Sequence, residues 1–249
     1  MTDFIAAEDR ALLERNGLAS FEALWALQLE PVDEPNTERG GVSTVCRLEL
    51  EGQAYYLKRQ TNHLTRNLAH PFGEPTFARE LRNIQRYREL GIPALAAAFF
   101  AARRQPGESR AILLTRALDG WSDLHQLLEH WSTLALAHRQ AIILAVGQLA
   151  ATLHGAGQLH GCFYPKHIFL RTRGTAWEAC LIDLEKTRPL WFGRRDRVKD
   201  LEPLLRRVSR YWEEADVRLF LETYLGGERQ VDDWMDRLGA RQRDKEGRR

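Results

Sequence analysis

The sequence predicts an α+β fold of two lobes, in which a β-rich lobe is followed by an α-helical lobe. Two observations lead to this prediction: short runs rich in β-branched residues lie between residues 32 and 116, and long apolar helical patterns follow them. The composition, with 44% hydrophobic and 28% charged residues in 249, is globular and excludes disordered and collagen-like classes. The predicted divisions are an acidic helical extension, the β-rich lobe, the α-helical lobe and a frayed basic tail, over residues 1–31, 32–116, 117–240 and 241–249.

Helix caps and turn residues delimit the elements of the first half. Asn16-Gly17 is a helix C-terminus, Ser20 is an N-cap, and Glu51-Gly52 is a turn between two strand-like runs. Apolar spacing at i, i+4 and i+7, ended by Gly91, predicts one longer helix. In chain order we expect helices within 8–30, strands over 42–50 and 54–58, a helix over 76–90, and strands over 94–102 and 110–115.

The second half has a wide apolar stripe through Ile142, Val146, Leu149 and Leu153, which is typical of a core helix. Two short β-like runs follow a loop that spans residues 155–166. The predicted elements are helices over 124–128 and 137–154, strands over 168–170 and 179–182, and two or three helices over 198–240.

The formal net charge of +2 conceals an asymmetry. Residues 1–38 contain nine acidic and two basic side chains, a net charge of −7, which leaves +9 for residues 39–249. The small total argues against a nucleic-acid partner, whereas the basic remainder favours phosphates, nucleotides or an anionic membrane surface.

Cysteine usage and the apolar runs indicate the compartment. Cys46, Cys162 and Cys180 form no C-x-x-C pair, which is typical of a reducing cytoplasm. The N-terminus lacks a basic start and an apolar core, so we expect no signal peptide. The longest apolar run, residues 94–102, is too short to span a bilayer. We therefore expect a cytoplasmic protein whose membrane contacts are peripheral.

Two candidate sites combine a strand end with a charged side chain. Lys58 ends a strand, and on its own it is most simply a solvated lysine. Glu80 lies centrally in the next predicted helix, whereas Glu89 lies in its last turn, where an acid opposes the helix dipole. Asp183 follows the apolar run Cys180-Leu181-Ile182, where a carboxylate needs a cation such as Mg²⁺ unless it only caps a turn.

The order of these features resembles the protein-kinase-like fold, and more closely the lipopolysaccharide core kinases of the WaaP/InaA and Kdo-kinase type. The resemblance covers most of residues 37–225. The loop His160-Gly161-Cys162-Phe163-Tyr164-Pro165-Lys166-His167 is similar to the kinase catalytic loop H-R-D-L-K-P-x-N. In this alignment His160 matches the histidine, His167 the metal-binding asparagine, and Cys162 replaces the catalytic aspartate.

The resemblance implies ATP and Mg²⁺ as cofactors, and a heptose or Kdo sugar of the lipopolysaccharide core or lipid A–core precursor as acceptor at the cytoplasmic face of the inner membrane. It implies nucleotide binding by Gly40, Gly41, Lys58, Glu80, Thr115 and Ala117, and metal binding by His167 and Asp183. In this resemblance Glu80 pairs with Lys58, which presents a fixed cation to the phosphates, and Glu89 is the rival partner. Asp200 would brace the catalytic loop; its alternative is a surface ion pair with Arg197. A plain hairpin turn explains Gly40 and Gly41 equally well.

Cys162 leaves several interpretations open, because no Asp or Glu occurs between His130 and Trp177. Catalysis could proceed slowly without a base, or Cys162 as thiolate, His160 or His167 could accept the proton. The chain could instead be a pseudokinase that binds a nucleotide, a glycolipid precursor or a protein without transferring phosphate. Cys162 could also be a small buried apolar residue. A zinc site and a Cys–His nucleophile pair are weaker alternatives, because neither has the usual ligand spacing or orienting carboxylate.

Residues 188–199 interleave aromatic and basic side chains. Trp191, Phe192, Arg194 and Arg195 could contact an anionic glycolipid or membrane; alternatively the aromatic rings pack into the helical lobe. The segment 70–75 resembles an insertion of the same kinases that shapes the acceptor site.

Overall fold

A computed structural model of the chain describes residues 3–37, 40–65, 73–174 and 176–246. The chain divides into two compact units. Unit 1 comprises Met1–Tyr87 with Leu95–Asp119, and unit 2 comprises Arg88–Ala94 with Gly120–Arg249. Unit 1 contains the five-stranded sheet and unit 2 is mainly helical, so the predicted change from β-rich to helical architecture is confirmed.

Unit 1 contains a five-stranded antiparallel sheet of order β1-β6-β7-β3-β2. The strands of unit 1 are β1 (Phe4–Ile5), β2 (Val42–Leu50), β3 (Gln53–Thr61), β4 (Leu64–Thr65), β5 (Glu74–Pro75), β6 (Ala97–Gln105) and β7 (Glu108–Arg116). Its helices are α1 (Ala7–Arg15), α2 (Phe21–Ala26) and α3 (Thr76–Glu89), the last of which ends just beyond the unit boundary. The hairpins β2–β3 and β6–β7 turn at the left-handed glycines Gly52 and Gly107, where a β-carbon would be strained.

The acidic N-terminal helices are part of unit 1 rather than a separate extension. Leu13 of α1 and Leu24 of α2 are fully buried in one cluster with Leu57 and Ile112 of the sheet. Burying a leucine side chain contributes about 1.5–3 kcal/mol, which explains why these short helices dock. Strand β1, which periodicity does not predict, pairs with β6 through two residues.

Helix α3 forms because one face is apolar. Phe77, Leu81, Ile84 and Tyr87 are buried at helical spacing, and Gly91 follows the helix with a φ of 67°. Glu80 lies on the same buried side. The position of this helix therefore places a carboxylate in the interior of unit 1.

Unit 2 is mainly helical, with two small antiparallel sheets of order β11-β10-β8 and β12-β9. Its helices are α4 (Leu124–Glu129), α5 (Leu136–Gly155), α6 (Gly193–Val208), α7 (Glu214–Leu225) and α8 (Val231–Glu246). Its strands are β8 (Ser122–Asp123), β9 (Gln158–Leu159), β10 (Ile168–Arg173), β11 (Ala176–Leu181) and β12 (Arg188–Pro189).

Helix α5 is the central helix of unit 2 and packs on α7 and β11. Gly147 permits this packing, because a β-carbon there would approach Cβ of Thr223 to 2.9 Å. By length and composition alone α5 could cross a membrane, and among the described helices it alone passes that test. Its buried apolar side chains, among them Ile142 and Leu153, are those of a core helix.

Residues 241–246 do not fray as expected but continue α8. Lys245 forms an ion pair at 2.5 Å with Glu202, whose side chain is buried in α6 and is also paired with Arg206. A buried carboxylate is costly without such partners, so this contact holds the end of α8.

Candidate functional site

In unit 1, Lys58 and Glu80 form a direct ion pair. Lys58 lies within β3, opposite Leu113 of β7, and its Nζ is 2.6 Å from Oε1 of Glu80. The Glu80 side chain is 4% exposed and that of Lys58 is 18% exposed. Since a buried carboxylate is costly without a cation, each side chain fixes the other. Glu89, the rival partner, is exposed at the end of α3.

Gly40 and Gly41 lie in a turn between residues 31–36 and β2. That segment runs antiparallel to β2 through the bridges Pro31–Cys46 and Asn36–Ser43. Gly40 has a φ of 74°, and a β-carbon on Gly41 would collide with the backbone of residues 61–63. The second glycine is therefore needed for packing, whatever the turn binds.

Thr115 and Ala117 occupy the end of β7 and the residues after it. Thr115 is buried and pairs with Tyr56 and Ala97. The N–H of Ala117 donates to the carbonyl of Ala54 at 2.9 Å, so this donor is not available to a ligand. The nucleotide-binding role of Thr115 and Ala117 stays a prediction.

In unit 2, Asp200 braces the loop that contains His160. Its Oδ2 accepts the N–H of His160 at 2.8 Å and its Oδ1 accepts the N–H of Gly161 at 2.7 Å. Burial alone would raise the pKa of Asp200, but the hydrogen bonds from the His154 ring and from the N–H of His160 bring the pKa below its ordinary value. The alternative of a surface ion pair with Arg197 does not fit this buried side chain.

Two further residues of this brace were missed by the sequence analysis. His154 Nε2 lies 3.1 Å from Oδ2 of Asp200, and His154 Nδ1 lies 2.8 Å from the hydroxyl of Tyr224. An anionic Asp200 requires Nε2 to donate, so Nδ1 accepts from Tyr224. The chain Tyr224–His154–Asp200 therefore links α7, α5 and α6 to the loop.

Gly161 has a structural requirement of its own. Its φ is 77°, and a β-carbon would approach the carbonyl oxygen of Lys186 to 2.7 Å. The loop can adopt this path only with glycine at the position where kinases carry arginine.

His160 is fully engaged in the interior of unit 2. Its Nε2 donates to the carbonyl of Ile182 at 2.9 Å, and its Nδ1 accepts the N–H of Cys162 at 3.3 Å. Burial lowers the pKa of His160 and keeps the ring neutral. Neither nitrogen is left to accept a proton from a substrate.

His167 and Asp183 lie side by side in unit 2. The Nδ1 of His167 is 2.9 Å from the carbonyl of Cys162, and a carbonyl only accepts, so Nδ1 carries the proton. Burial lowers the pKa of His167, although the charge of Asp183 opposes this, and Nε2 lies 3.3 Å from Oδ2 of Asp183. An imidazole nitrogen and a carboxylate at this distance share either a proton or a cation that binds both.

The pair fits a divalent cation that also has other ligands. One imidazole nitrogen and one carboxylate make two protein ligands, and no group of three or more His, Cys, Asp or Glu side chains suited to a metal occurs in the described residues. Mg²⁺ in phosphoryl-transfer sites is held in this way, by one or two protein ligands with phosphates and water. Asp183 has a φ of 58°, a left-handed conformation that aspartate tolerates, and its side chain is 44% exposed.

Cys162 is buried beside this pair. Burial raises the pKa of its thiol, against the opposing charge of Lys186, so it is protonated at neutral pH. The burial of Cys162 therefore disfavours a thiolate base, and the hydrogen bonds of His160 leave it no nitrogen to act as one. Since no three-residue metal cluster occurs in the described part of the chain, the zinc interpretation is also unsupported.

The segment of residues 188–199 presents its aromatic rings to solvent instead of packing them inward. Trp191 is 68% exposed and Phe192 is 63% exposed. Arg194 is paired with Asp233 at 2.6 Å, whereas Arg195 is exposed and has no ion pair to a described residue. Of segment 70–75, residues 70–72 lie outside the described residues; Glu74, which pairs with Arg82, lies in β5.

Comparison with known proteins identifies the family. The lipopolysaccharide kinase (Kdo/WaaP) family matches residues 22–224. Protein InaA of Escherichia coli is 34% identical over 199 residues, covering 78% of this chain and 88% of InaA. The lipopolysaccharide core heptose(I) kinase WaaP of Pseudomonas aeruginosa is 27% identical over 230 residues, covering 84% of this chain and 81% of WaaP.

A solved structure described as WaaP in complex with acyl carrier protein matches the fold. Its TM-score is 0.74 at 23% identity, and the match covers 99% of both chains. The resemblance predicted from the loop, the lysine and the aspartate is confirmed, and the chain belongs to the lipopolysaccharide kinase (Kdo/WaaP) family.

Proposed function

We propose that this protein transfers the γ-phosphoryl group of ATP to a hydroxyl of a heptose or Kdo sugar in the lipopolysaccharide inner core. The observation that carries the proposal is the His167–Asp183 pair, in which an imidazole nitrogen and a carboxylate oxygen lie 3.3 Å apart. The Lys58–Glu80 ion pair in unit 1 supports it, because it is a preformed cation of the kind that phosphates require.

The chain's own residues would act mainly by positioning. Lys58 would bind phosphate oxygens while Glu80 holds its ammonium group in place. Asp200 would fix the loop backbone that carries His167. When bound, a divalent cation at His167 and Asp183 would neutralise charge on the phosphates. The sugar oxygen forms the new bond to phosphorus as the bond to the ADP oxygen breaks.

The hydroxyl proton has no free acceptor on the catalytic loop when the cation is bound. His160 has both nitrogens engaged, Cys162 is a protonated thiol, and Nε2 of His167 would be a ligand of the cation. We propose that the proton passes to water or to a phosphoryl oxygen. A positioned base contributes about 10²–10⁴-fold, and the loose transition state of phosphoryl transfer needs little early deprotonation. The expected enzyme is therefore slow rather than inactive.

The same observation at Cys162 favours a second candidate function. A buried, protonated thiol where kinases place a carboxylate suits a pseudokinase that binds nucleotide, glycolipid precursor or a protein without turnover. The two functions share the Lys58 and Asp183 sites and differ only in whether phosphate is transferred.

For location, we propose a cytoplasmic protein bound peripherally to the inner membrane through residues 188–199. Trp191 and Phe192 are exposed, and Arg195 adds a positive charge with no described partner. Exposed aromatic rings with adjacent bases suit an anionic lipid interface.

The test is ADP release with an inner-core acceptor. Lys58→Ala and Asp183→Asn should lower turnover at least about 100-fold, because each removes a charge that positions phosphates. The matched control Asp236→Asn, an exposed acid of α8, should retain activity. Cys162→Asp should raise the rate if the site lacks only its base. Nucleotide binding without turnover for every core acceptor would instead support the pseudokinase.

A further inference from the structure

A surface cavity of about 390 Å³ lies in unit 2 beside the catalytic loop. Tyr164, Pro165 and Lys166 line one side, and Arg206, Arg207 and Arg210 line another. The volume is within the usual range for a small-ligand site.

The cavity is strongly positive. None of its lining residues is acidic. Arg206 is neutralised by Glu202 at 2.8 Å, but Lys166, Arg207 and Arg210 form no ion pair with a described residue. Three uncompensated charges in one concave surface attract an anion.

Arg207 is held in place before any ligand arrives. Its guanidinium lies 4.0 Å from the ring centroid of Tyr164, and its Nη1 donates to the carbonyl of Pro203 at 2.9 Å. A stacked guanidinium loses little freedom on binding and can bind a carboxylate or phosphate with two parallel hydrogen bonds.

The cavity is adjacent to the proposed metal pair. The ring centroids of Tyr164 and His167 are 5.4 Å apart, and Pro165–His167 form a single 3₁₀ turn. A ligand in the cavity would thus lie one side chain from His167, where an acceptor hydroxyl must approach.

We propose that this cavity binds an anionic substituent of the saccharide acceptor, a carboxylate or a phosphomonoester, and so orients its reactive hydroxyl. This inference rests on the proposed function, since it names the acceptor subsite of the same reaction. Lys166, Arg207 and Arg210 are the specificity-determining residues.

The experiment is equilibrium binding without ATP, measured by ligand-observed NMR. The probes are Kdo, which supplies a carboxylate, a hexose 6-phosphate, which supplies a phosphomonoester, and an uncharged hexose. We expect Kdo or the hexose phosphate to bind and the uncharged hexose to bind at least about tenfold more weakly. Whichever anion binds identifies the group recognised.

Arg207→Gln and Arg210→Gln should each weaken binding of that probe about tenfold, whereas Arg207→Lys should weaken it less. Arg229→Gln, an exposed arginine outside the cavity, is the matched control and should bind like the wild type. Thermal melting of every variant checks that the fold is retained.

The proposal is overturned if neither anion binds the wild type, if the uncharged hexose binds equally well, or if both glutamine variants bind unchanged. Failure of the kinase function would look different: the anionic saccharide would bind and depend on Arg207, but no ADP would be released when ATP is added.

Discussion

Unit 2 contains two aspartates near the same loop, and their surroundings are opposite. Asp200 is buried and accepts from the backbone of His160 and Gly161 and from His154. Asp183 is 44% exposed and lies 3.3 Å from Nε2 of His167. A carboxylate whose hydrogen bonds are all supplied by buried protein donors is structural, whereas a half-exposed carboxylate beside an imidazole nitrogen can bind a cation together with it.

The two histidines of the loop differ in the same way. His160 uses both ring nitrogens inside the protein, whereas His167 uses one and directs the other at Asp183. The residue that matches the conserved kinase histidine is therefore part of the scaffold, and the residue that matches the kinase asparagine is the ligand candidate.

The largest expected effect on stability is at Asp200, the aspartate that holds the loop backbone. Asp200→Ala leaves three donors without an acceptor, two of them buried and that of Gly161 partly buried, and an unsatisfied buried donor costs about 1–3 kcal/mol, so we expect a loss of about 3–5 kcal/mol in the free energy of unfolding. Asp183→Ala should change it by less than about 1 kcal/mol. Chemical denaturation measures both, and equal losses would show that the two aspartates do not differ in role.

A smaller loss of stability is expected at Tyr224, the end of the Tyr224–His154–Asp200 chain. Tyr224→Phe removes the hydroxyl that donates to Nδ1 of His154, and the loss should be about 1 kcal/mol. Thermal melting measures it, with Tyr211→Phe, a partly exposed tyrosine of the same unit, as the matched control. No difference between the two variants would show that the Tyr224–His154 link does not support the loop.

The pH dependence of stability tests the neutral state of His160. Burial lowers its folded pKa below the ordinary value of about 6.5, so the unfolded chain binds more protons below that pH. The contribution is complete above about pH 6.5 and is lost as the pH falls toward the folded pKa. Denaturation between pH 5 and 8 should show this decline, and His160→Gln should have a shallower one. An unchanged slope would contradict the assignment.

The smallest effect on stability is expected at the exposed segment. Trp191→Ala and Arg195→Ala should each change the free energy of unfolding by less than about 0.5 kcal/mol, because both side chains are exposed. Both should weaken sedimentation with anionic phospholipid vesicles, whereas Arg218→Ala, an arginine paired with Asp232, should not. Vesicle binding unaffected by Trp191→Ala would contradict the membrane proposal.

Much of this architecture could be predicted from local pattern. The apolar spacing of α3 and α5 and the Glu51-Gly52 turn led to the observed elements, because each depends on residues close in sequence. The pairing of Lys58 with Glu80 came from the resemblance to the kinases, and Lys58 lies within β3 rather than at the end of a strand. The docking of α1 and α2 did not, since it depends on contacts with distant strands.

The parts of the site that local pattern did not predict also depend on contacts between residues distant in sequence. His154 bonds to residues 46 and 70 positions away, and no local signal marks either partner. The state of Cys162 depended on burial, which decided against the thiolate only once the fold was known. The continuation of α8 depended on Lys245 reaching Glu202.

Binding of Mn²⁺ with ATP, followed by electron paramagnetic resonance, tests the central contrast most directly. We predict that the wild type and Asp236→Asn bind the ion, that Asp183→Asn loses at least about tenfold in affinity, and that His167→Ala weakens it as well, since each variant removes one ligand. Equal Mn²⁺ affinity in the wild type and Asp183→Asn would contradict the assignment of this pair as the cation site.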